Sequence, residues 1–492
     1  MTIITSRSRR LLALATVFAA ALAAPAGASI AVTQVSSDPF ANPTSQHATE
    51  LEPDTFSDHG TTVSAFQVGR FFNGGASDIG WARRDSLGAW TAGFMPGMTP
   101  ESTPANPNFE RVSDASVAYD PAHGAWLVSS IPLEFGTLRV PSVFVNRSTD
   151  DGVTWSDPVA TPPPAVKKVD LDKNWTVCDT TPSSPHYGNC YTEFDNFGEG
   201  DLEYMTRSID GGKTWSTPVS PAGRPKGLGG QPLVQPDGTV IVPFEALDGK
   251  IEAFRSTDGG RSWSHAAVVG NVVSHAVAGN LRTSPLPTAE IDGDGNVYVA
   301  WQDCRFRPRC SANDIVFSRS SDGVNWTDAA RIPIDPTNSG ADHFIPGLAV
   351  DRATSGASAH LALTYYFYPD AACTAATCQL QAGTISSPDG GASWGGNDTV
   401  GDPMTLGQIA NTSQGPMVGD YISTSFLGDG TYTTVVAIGR APSGDSAFDE
   451  ALYAPAAPIG VATTGLTPSS AAGAQAITGQ GTGETHHALR NN

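Results

Sequence analysis

The chain carries the octapeptide SIDGGKTW at residues 208–215, and this stretch decides the fold. Its Ser and Asp side chains can bond backbone N–H groups inside a tight turn, and its glycines supply the positive φ that such a turn requires. The closing Trp is predicted to open the next strand and to bury a large ring between neighbouring sheets. The octapeptide therefore predicts a hairpin turn with a structural role.

The same pattern recurs along the chain. Full copies are STDDGVTW at 148–155, STDGGRSW at 256–263 and SPDGGASW at 387–394; SSDGVNW at 320–326 is one residue shorter, and a degenerate copy covers 84–90. The tryptophans lie 48 to 68 residues apart, which leaves room for about four short strands per step. The positions to which we assign a structural role are Asp150, Trp155, Asp210, Trp215, Asp258, Trp263, Asp322, Trp326, Asp389 and Trp394.

These copies resemble the Asp box, or BNR repeat, of the sialidase-like β-propellers, and the resemblance covers residues 30–455. A second pattern, two apolar strands joined by a turn containing Asp, precedes each box and gives seven units. We therefore predict an all-β chain with a single seven-bladed β-propeller of four-stranded antiparallel blades over 29–460; six blades is the alternative. Residues 30–35 are predicted to supply the fourth strand of the last blade, and 461–492 to form a flexible tail.

The charge balance excludes two kinds of partner. The chain has 49 Asp and Glu against 28 Lys and Arg, a net charge of −21. Binding to phosphate backbones or to anionic lipid requires clustered positive charge. We therefore expect no nucleic-acid and no membrane partner. A glycan or polysaccharide is the predicted ligand, and the protein is predicted to be a monomer.

The N-terminus and the cysteines predict export. Residues 1–28 have the positive start, the apolar run and the small-residue cleavage site of a secretory signal. Six cysteines allow fifteen pairings, so the sequence leaves the connectivity open. They fall into three local pairs, for which disulfides in an oxidising compartment are the simplest choice. The pairs are Cys178 with Cys190, Cys304 with Cys310, and Cys373 with Cys378.

Propellers of this kind carry their ligand site over the central channel, opposite the boxes, and the resemblance implies the same here. Arg282 and Lys173 open inner strands, and one loop carries Arg305, Arg307 and Arg309 in an otherwise arginine-poor chain. Arginine suits a carboxylate ligand because its planar fork binds both oxygens. These five cations are the predicted substrate-binding residues. The candidates for the chemistry are Tyr421, Asp114, His343 and His47, each of which also has a purely structural interpretation.

The resemblance implies an exo-sialidase-like glycosidase acting on a carboxylate-bearing glycan. A non-catalytic glycan- or protein-binding propeller, and a polysaccharide lyase cleaving uronic-acid chains by β-elimination, stay open as alternatives. The arginine motif (F/Y)-R-I-P of sialidases is not found in the first blade, since its nearest match at 138–141 lies too close to a box. No cofactor is required by any of these functions. Residues 292–296 resemble the start of a calcium loop without its closing Glu, so a structural calcium ion is left open.

Overall fold

The computed structural model describes residues 29–443 and 446–470, and this part of the chain is all-β. The predicted signal segment 1–28 and residues 471–492 lie outside the described residues. No helix in the described part is long and apolar enough to cross a membrane. The helices are single 3-10 turns at Phe197–Glu199, Ala278–Asn280, Pro308–Cys310, Gly356–Ser358 and Leu406–Gln408.

The strands follow one another as antiparallel meanders, mostly with short connections. They are β1 (Val32–Gln34), β2 (Gln46–Asp58), β3 (Thr61–Arg70), β4 (Ala76–Arg84), β5 (Trp90–Phe94), β6 (Phe109–Asp120), β7 (Ala125–Glu134), β8 (Phe144–Ser148), β9 (Val159–Ala160), β10 (Leu171–Cys178), β11 (Cys190–Asn196), β12 (Leu202–Ser208), β13 (Gly227–Leu228), β14 (Leu233–Val234), β15 (Val240–Ala246), β16 (Lys250–Ser256), β17 (Ala267–Asn271), β18 (Thr288–Ile291), β19 (Val297–Asp303), β20 (Asp314–Ser320), β21 (Ala330–Arg331), β22 (Asp342–Val350), β23 (Leu361–Tyr368), β24 (Gln379–Ser387), β25 (Gly395–Thr405), β26 (Ala410–Thr412), β27 (Gly415–Met417), β28 (Ser423–Phe426), β29 (Thr431–Gly439), β30 (Glu450–Pro455), β31 (Ile459–Gly460) and β32 (Ser469–Ser470).

The first strands of the meanders contact one another in chain order. Strand β2 contacts β6, β6 contacts β10, and the sequence continues through β14, β18, β22 and β28; β28 in turn contacts β2. The N-terminal strand β1 pairs antiparallel with β30, so that Val32 lies opposite Pro455. The segment predicted to complete the last meander therefore does pair with it, and this pairing joins the first and last meanders of the described chain.

Each octapeptide forms the predicted turn. In the copy at 208–215, the Asp210 carboxylate accepts hydrogen bonds from the Ser208 hydroxyl at 2.8 Å and from the Thr214 backbone N–H and hydroxyl at 2.9 and 2.6 Å. The Ser208 hydroxyl in turn accepts from Gly212 N–H at 2.9 Å. Trp215 is buried against the apolar cluster of its own and the preceding meander. The Ser208 and Asp210 side chains thus bond groups within the turn itself.

A row of arginines joins neighbouring meanders. An arginine stands directly before the Ser of four boxes, and Arg83 stands at the matching point of the first meander. Each guanidinium donates to a backbone carbonyl in the box of the following meander, as Arg207 does to Gly259 O at 2.6 Å. The other pairs are Arg83 with Asp151 O, Arg147 with Gly211 O, Arg255 with Asp322 O, and Arg319 with Gly390 O. The boxes therefore also fix each meander to the next.

The covalent links agree with the prediction, and the described residues beyond 460 make backbone contacts with the sheets. All three local disulfides are present: Cys178–Cys190, Cys304–Cys310 and Cys373–Cys378. The ordered chain continues past the predicted boundary at residue 460, because Leu466 exchanges backbone hydrogen bonds with Trp394 and β32 pairs with β21. Residues 461–470 therefore pack on the fold rather than forming a free tail.

Candidate functional site

Backbone bulges deliver charged side chains to one common centre, in a cleft lined by residues of the first strands of three meanders. Strands β2, β6 and β10 each carry a register shift, and the residues inside the shifts are Glu52, Asp114 and Lys173. All three have positive φ, at 56°, 51° and 39°. Such a conformation is uncommon outside glycine and tends to occur where function constrains the backbone. The same device in three neighbouring strands marks this centre as the candidate site.

Lys173 and Arg282 converge on one carboxylate. The Lys173 ammonium lies 2.6 Å from Asp420 Oδ2 and 3.2 Å from Asp114 Oδ1. The Arg282 Nε donates to Asp420 Oδ1 at 2.8 Å, and its Nη2 bonds the other oxygen. All four side chains are buried. Buried charges of this kind persist when they are paired, so the cluster holds its members in fixed positions.

Glu52 and Gly419 complete this arrangement. The Glu52 carboxylate accepts a hydrogen bond from Asp420 N–H at 2.9 Å. A Cβ at Gly419, where φ is 125°, would lie 2.9 Å from Glu52 Cγ, so only glycine fits here. Burial raises the pKa of Glu52 to about 7, against the opposing field of Lys173. This carboxyl therefore changes its charge near neutral pH.

Two arginine donors beside this cluster have no partner. Arg282 Nη1 and Arg70 Nε are buried and make no hydrogen bond to any described residue. Arg70 is 3% exposed and Arg282 is 9% exposed, and both line the cleft. Burial lowers the pKa of Arg70, and the neighbouring Arg282 guanidinium adds to that effect. Two like charges with free donors at one cleft form a site that an anion would satisfy.

The cleft has two halves that share Asp114 and Lys173. The first half joins the charged cluster to an apolar wall made by Ile131, Leu133, Leu138 and Val140. The second half runs past Trp175 and Tyr421 to Glu193. An ionic floor beside an apolar wall is typical of sites for amphipathic ligands, with a few polar groups fixing the orientation.

Tyr421 lies in the second half as a neutral phenol. Its hydroxyl donates to Ala115 O at 3.2 Å, and its ring meets the edge of Trp175 at a centroid distance of 5.2 Å. Burial, reinforced by the Glu52 and Asp114 carboxylates, raises the pKa of Tyr421 well above its usual value. The group is therefore a proton donor in the free protein, and it becomes a nucleophile only if a base removes that proton.

The structure brings together four of the predicted residues: Tyr421, Asp114, Arg282 and Lys173 all line the cleft. Glu52 escaped sequence reasoning, because an alternating strand pattern does not reveal a bulge. Arg70 ends strand β3 and Asp420 lies just before β28, but no local signal distinguishes them from other residues at strand ends.

The arginine-rich loop forms a different, buried network. Arg307 is fully buried, and its Nη2 lies 2.6 Å from both Asp314 and Asp335. Arg305 pairs with Asp303, Arg309 is exposed, and none of the three is among the residues lining the cleft. Two of the three arginines in the predicted basic patch therefore form ion pairs with nearby carboxylates.

The two predicted histidines also lie outside the cleft lining. His343 stacks on Phe367, and burial lowers its pKa to about 4. The His343 ring and two carboxylates, Asp314 and Asp335, approach one another as metal ligands would. However, Arg307 and Arg331 form ion pairs with both carboxylates, so we interpret these residues as an ion-pair network. His47 bonds Asp38 and Asn42 O at 3.2 and 2.8 Å.

The loop that resembles a calcium site uses its leading carboxylate for the turn itself. Asp292 Oδ1 accepts from the backbone N–H groups of Asp294 and Asn296 at 3.0 and 2.8 Å. Its other oxygen accepts from Gly356 N–H at 2.9 Å. These bonds satisfy the carboxylate and tie the turn to the following meander.

No family model and no curated protein sequence matches this chain. Solved structures do match. A Dyadobacter fermentans protein of unknown function is 16% identical, with 73% of this chain and 99% of that chain covered and a TM-score of 0.47. An ulvan lyase from a new family of polysaccharide lyases is 12% identical, with 86% and 95% covered and a TM-score of 0.47. The NanB sialidase from Streptococcus pneumoniae is 13% identical, with 87% and 70% covered and a TM-score of 0.43. These likenesses assign no activity to this chain.

Proposed function

We propose that this chain is a secreted Asp-box β-propeller that binds a carboxylate-bearing glycan and hydrolyses its glycosidic bond. The observation that carries the proposal is the pair of buried, unpartnered donors, Arg282 Nη1 and Arg70 Nε, at the cleft. Leaving a buried donor unsatisfied costs free energy, so such donors indicate a ligand that supplies the missing acceptor.

The fold we propose is a ring of seven blades. The cyclic order of contacts among the first strands supports it, as does the pairing of β1 with β30. A ring of this kind brings the first strands of distant meanders to one axis. This accounts for the meeting of residues from the start, middle and end of the chain at one cleft.

The cleft supplies both binding and chemistry. Arg282 and Arg70 present donors to the carboxylate, while Lys173 and Asp420 fix the position of the Arg282 guanidinium. Asp114 borders both halves of the cleft, so it lies beside any sugar that spans them. We assign Asp114 a position beside the reacting carbon of the sugar, where glycosidases place a carboxylate. We place Tyr421 at the same end of the ligand.

Three assays test the assignment. Release of the fluorophore from methylumbelliferyl sialoside, or of reducing ends from uronate oligomers, is the expected result for hydrolysis. Ultraviolet absorbance of an unsaturated uronate would show β-elimination instead and would overturn the hydrolase. Retention on a glycan array without turnover would show a binding protein. Arg282→Met should abolish every one of these signals, and unchanged kcat/KM in that variant would refute the carboxylate site.

A further inference from the structure

A row of carboxyl groups crosses one face of the third meander. Asp172, Asp195 and Glu203 lie directly opposite one another on β10, β11 and β12. Glu193, two residues from Asp195 on β11, shares that face and is the diagonal neighbour of Glu203. Acidic side chains placed next to each other in a sheet repel if they are ionised, so the row requires a physical explanation.

None of the oxygens of Glu193, Asp195 or Glu203 has a hydrogen-bond donor among the described residues. All three side chains are fully buried. The cation that acts on this face is Lys173, whose ammonium is already engaged by Asp114 and Asp420. Three unpaired charges in such surroundings would be very costly, so burial favours the protonated form of these carboxyls.

Glu193 and Glu203 are the two carboxyls of the row that act most directly on each other. Burial raises the pKa of Glu193 well above its usual value, and the nearby Glu203 raises it further. Burial also raises the pKa of Glu203, to about 7. Burial raises the pKa of Asp195 as well, and the nearby Asp172 and Asp201 carboxylates add to that rise. One carboxylic O–H of the pair can then donate to the other member.

Glu193 also reaches the ligand cleft. It lines the second half together with Asp114 and Tyr421, whereas Asp195 and Glu203 do not line either half. Its carboxyl fits because residue 230 is glycine: a Cβ there would lie 2.6 Å from Glu193 Cδ. The buried Glu193 carboxyl therefore lies against Gly230, another residue of the cleft lining, whereas Glu203 does not line the cleft.

We propose that Glu193 is a catalytic acid that delivers a proton to the leaving-group oxygen, and that Glu203 is a positioning residue that keeps Glu193 protonated. The inference rests on the proposed hydrolase function. The Glu193 O–H bond breaks as the O–H bond of the departing sugar hydroxyl forms and the glycosidic C–O bond breaks. The electron pair of the C–O bond stays on that oxygen. A water molecule closes the cycle by adding hydroxide to the sugar and returning its proton to Glu193.

The test compares two leaving groups in one enzyme. Sialyllactose departs as a sugar alcohol and needs a proton, whereas methylumbelliferyl sialoside departs as an acidic phenol and does not. Glu193→Gln keeps the shape and charge of the protonated acid. We expect it to lower kcat/KM on sialyllactose by about 10²- to 10⁴-fold while leaving the fluorogenic substrate within about tenfold of the wild type.

Asp195→Asn is the matched control, because that side chain is equally buried in the same row but does not border the cleft. Asp195→Asn should change kcat/KM on both substrates by the same small factor. Glu203→Gln should move the alkaline limb of the kcat/KM profile to lower pH by about one unit, because the neighbour that raises the pKa of Glu193 is gone. A purely structural role would leave that limb in place.

Several results would overturn the inference. Equal losses on both substrates in Glu193→Gln would show that the residue is not a proton donor. A chelator that inactivates the wild type, with recovery on adding Ca²⁺, would show that the carboxyls hold a cation instead of protons. A wild type inactive on both sialosides and on uronate oligomers would contradict the hydrolase itself, which separates that failure from failure of the Glu193 assignment.

Discussion

The contact between Arg282 and Asp420 allows folding and ligand binding to be separated. Arg282→Met removes the guanidinium but keeps an apolar stem of similar length, and the Lys173 contact with the Asp420 carboxylate stays in place. Removing one member of a buried pair costs about 3–5 kcal/mol when the other charge is left without a partner, so the remaining Lys173 contact makes this figure an upper bound. The single variant should therefore unfold at clearly lower temperature and denaturant concentration.

The double variant Arg282→Met with Asp420→Asn removes both members. Lys173 then keeps Asp114 as its partner at 3.2 Å, so no isolated charge remains. Replacing both partners of a buried pair is close to neutral, and most of the lost stability should return. Binding should not return, since the free Nη1 donor is still missing. A charge-assisted hydrogen bond is worth about 1.5–3 kcal/mol, which is roughly a 10- to 150-fold weaker Kd.

Titration calorimetry with N-acetylneuraminate and with glucuronate measures the affinity, and chemical denaturation measures the stability. Arg224→Met is the control: this exposed arginine pairs with Glu199 at 3.1 Å and does not line the cleft, so its loss should change neither quantity. If the double variant regained affinity along with stability, Arg282 would be a structural residue, and the assignment of the anion site would fail.

Three further outcomes follow from individual contacts. Glu52 has a pKa of about 7 against 4.5 when exposed, so its contribution to stability is full below pH 4.5 and is lost as the pH rises through 7. Anion affinity should weaken over the same rise in pH, and Glu52→Gln should flatten the dependence of affinity on pH in calorimetry. A wild-type affinity that does not change with pH would contradict this role of Glu52. Arg207→Ala removes the hydrogen bond to Gly259 O and should lower the free energy of unfolding by about 1–3 kcal/mol, whereas Arg224→Ala, an exposed pair, should change it by less than about 1 kcal/mol. Asp210→Ala deprives four donors of their acceptor and should cost at least about 1 kcal/mol in the same denaturation assay without altering affinity for acidic sugars; an unchanged midpoint would show that the turn does not need its carboxylate.

The local parts of the fold were accessible from sequence because their partners lie close in the chain. Every bond of the turn at 208–215 joins residues no more than four positions apart, and each disulfide spans 12 residues or fewer. The link between the boxes and the preceding arginines was not accessible in the same way. Arg207 reaches Gly259 across 52 positions, and only the docking of one meander on the next makes that contact.

Some residues of the candidate site could also be predicted from the sequence, and others could not. Arg282 and Lys173 could be selected as rare cations at the start of inner strands, and Tyr421 and Asp114 as polar residues beside them. The arginines of the 305–309 loop carried the stronger sequence signal, yet Arg307 faces the carboxylates of Asp314 and Asp335 instead of the cleft. Composition shows that charges are present, but it does not show which opposite charges the fold places next to them.

By itself, the sequence determined the repeat, the turn in each repeat and the all-β class, and it favoured the local disulfides without settling their pairing. Those features depend on interactions within a few residues, which a repeated pattern records directly. Only the tertiary structure decided that Glu52, Arg70 and Asp420 belong with Arg282, and that Glu193 borders the cleft. Bulges and the cyclic contact of the first strands bring residues together from across nearly the whole described chain, and no local pattern encodes such a meeting.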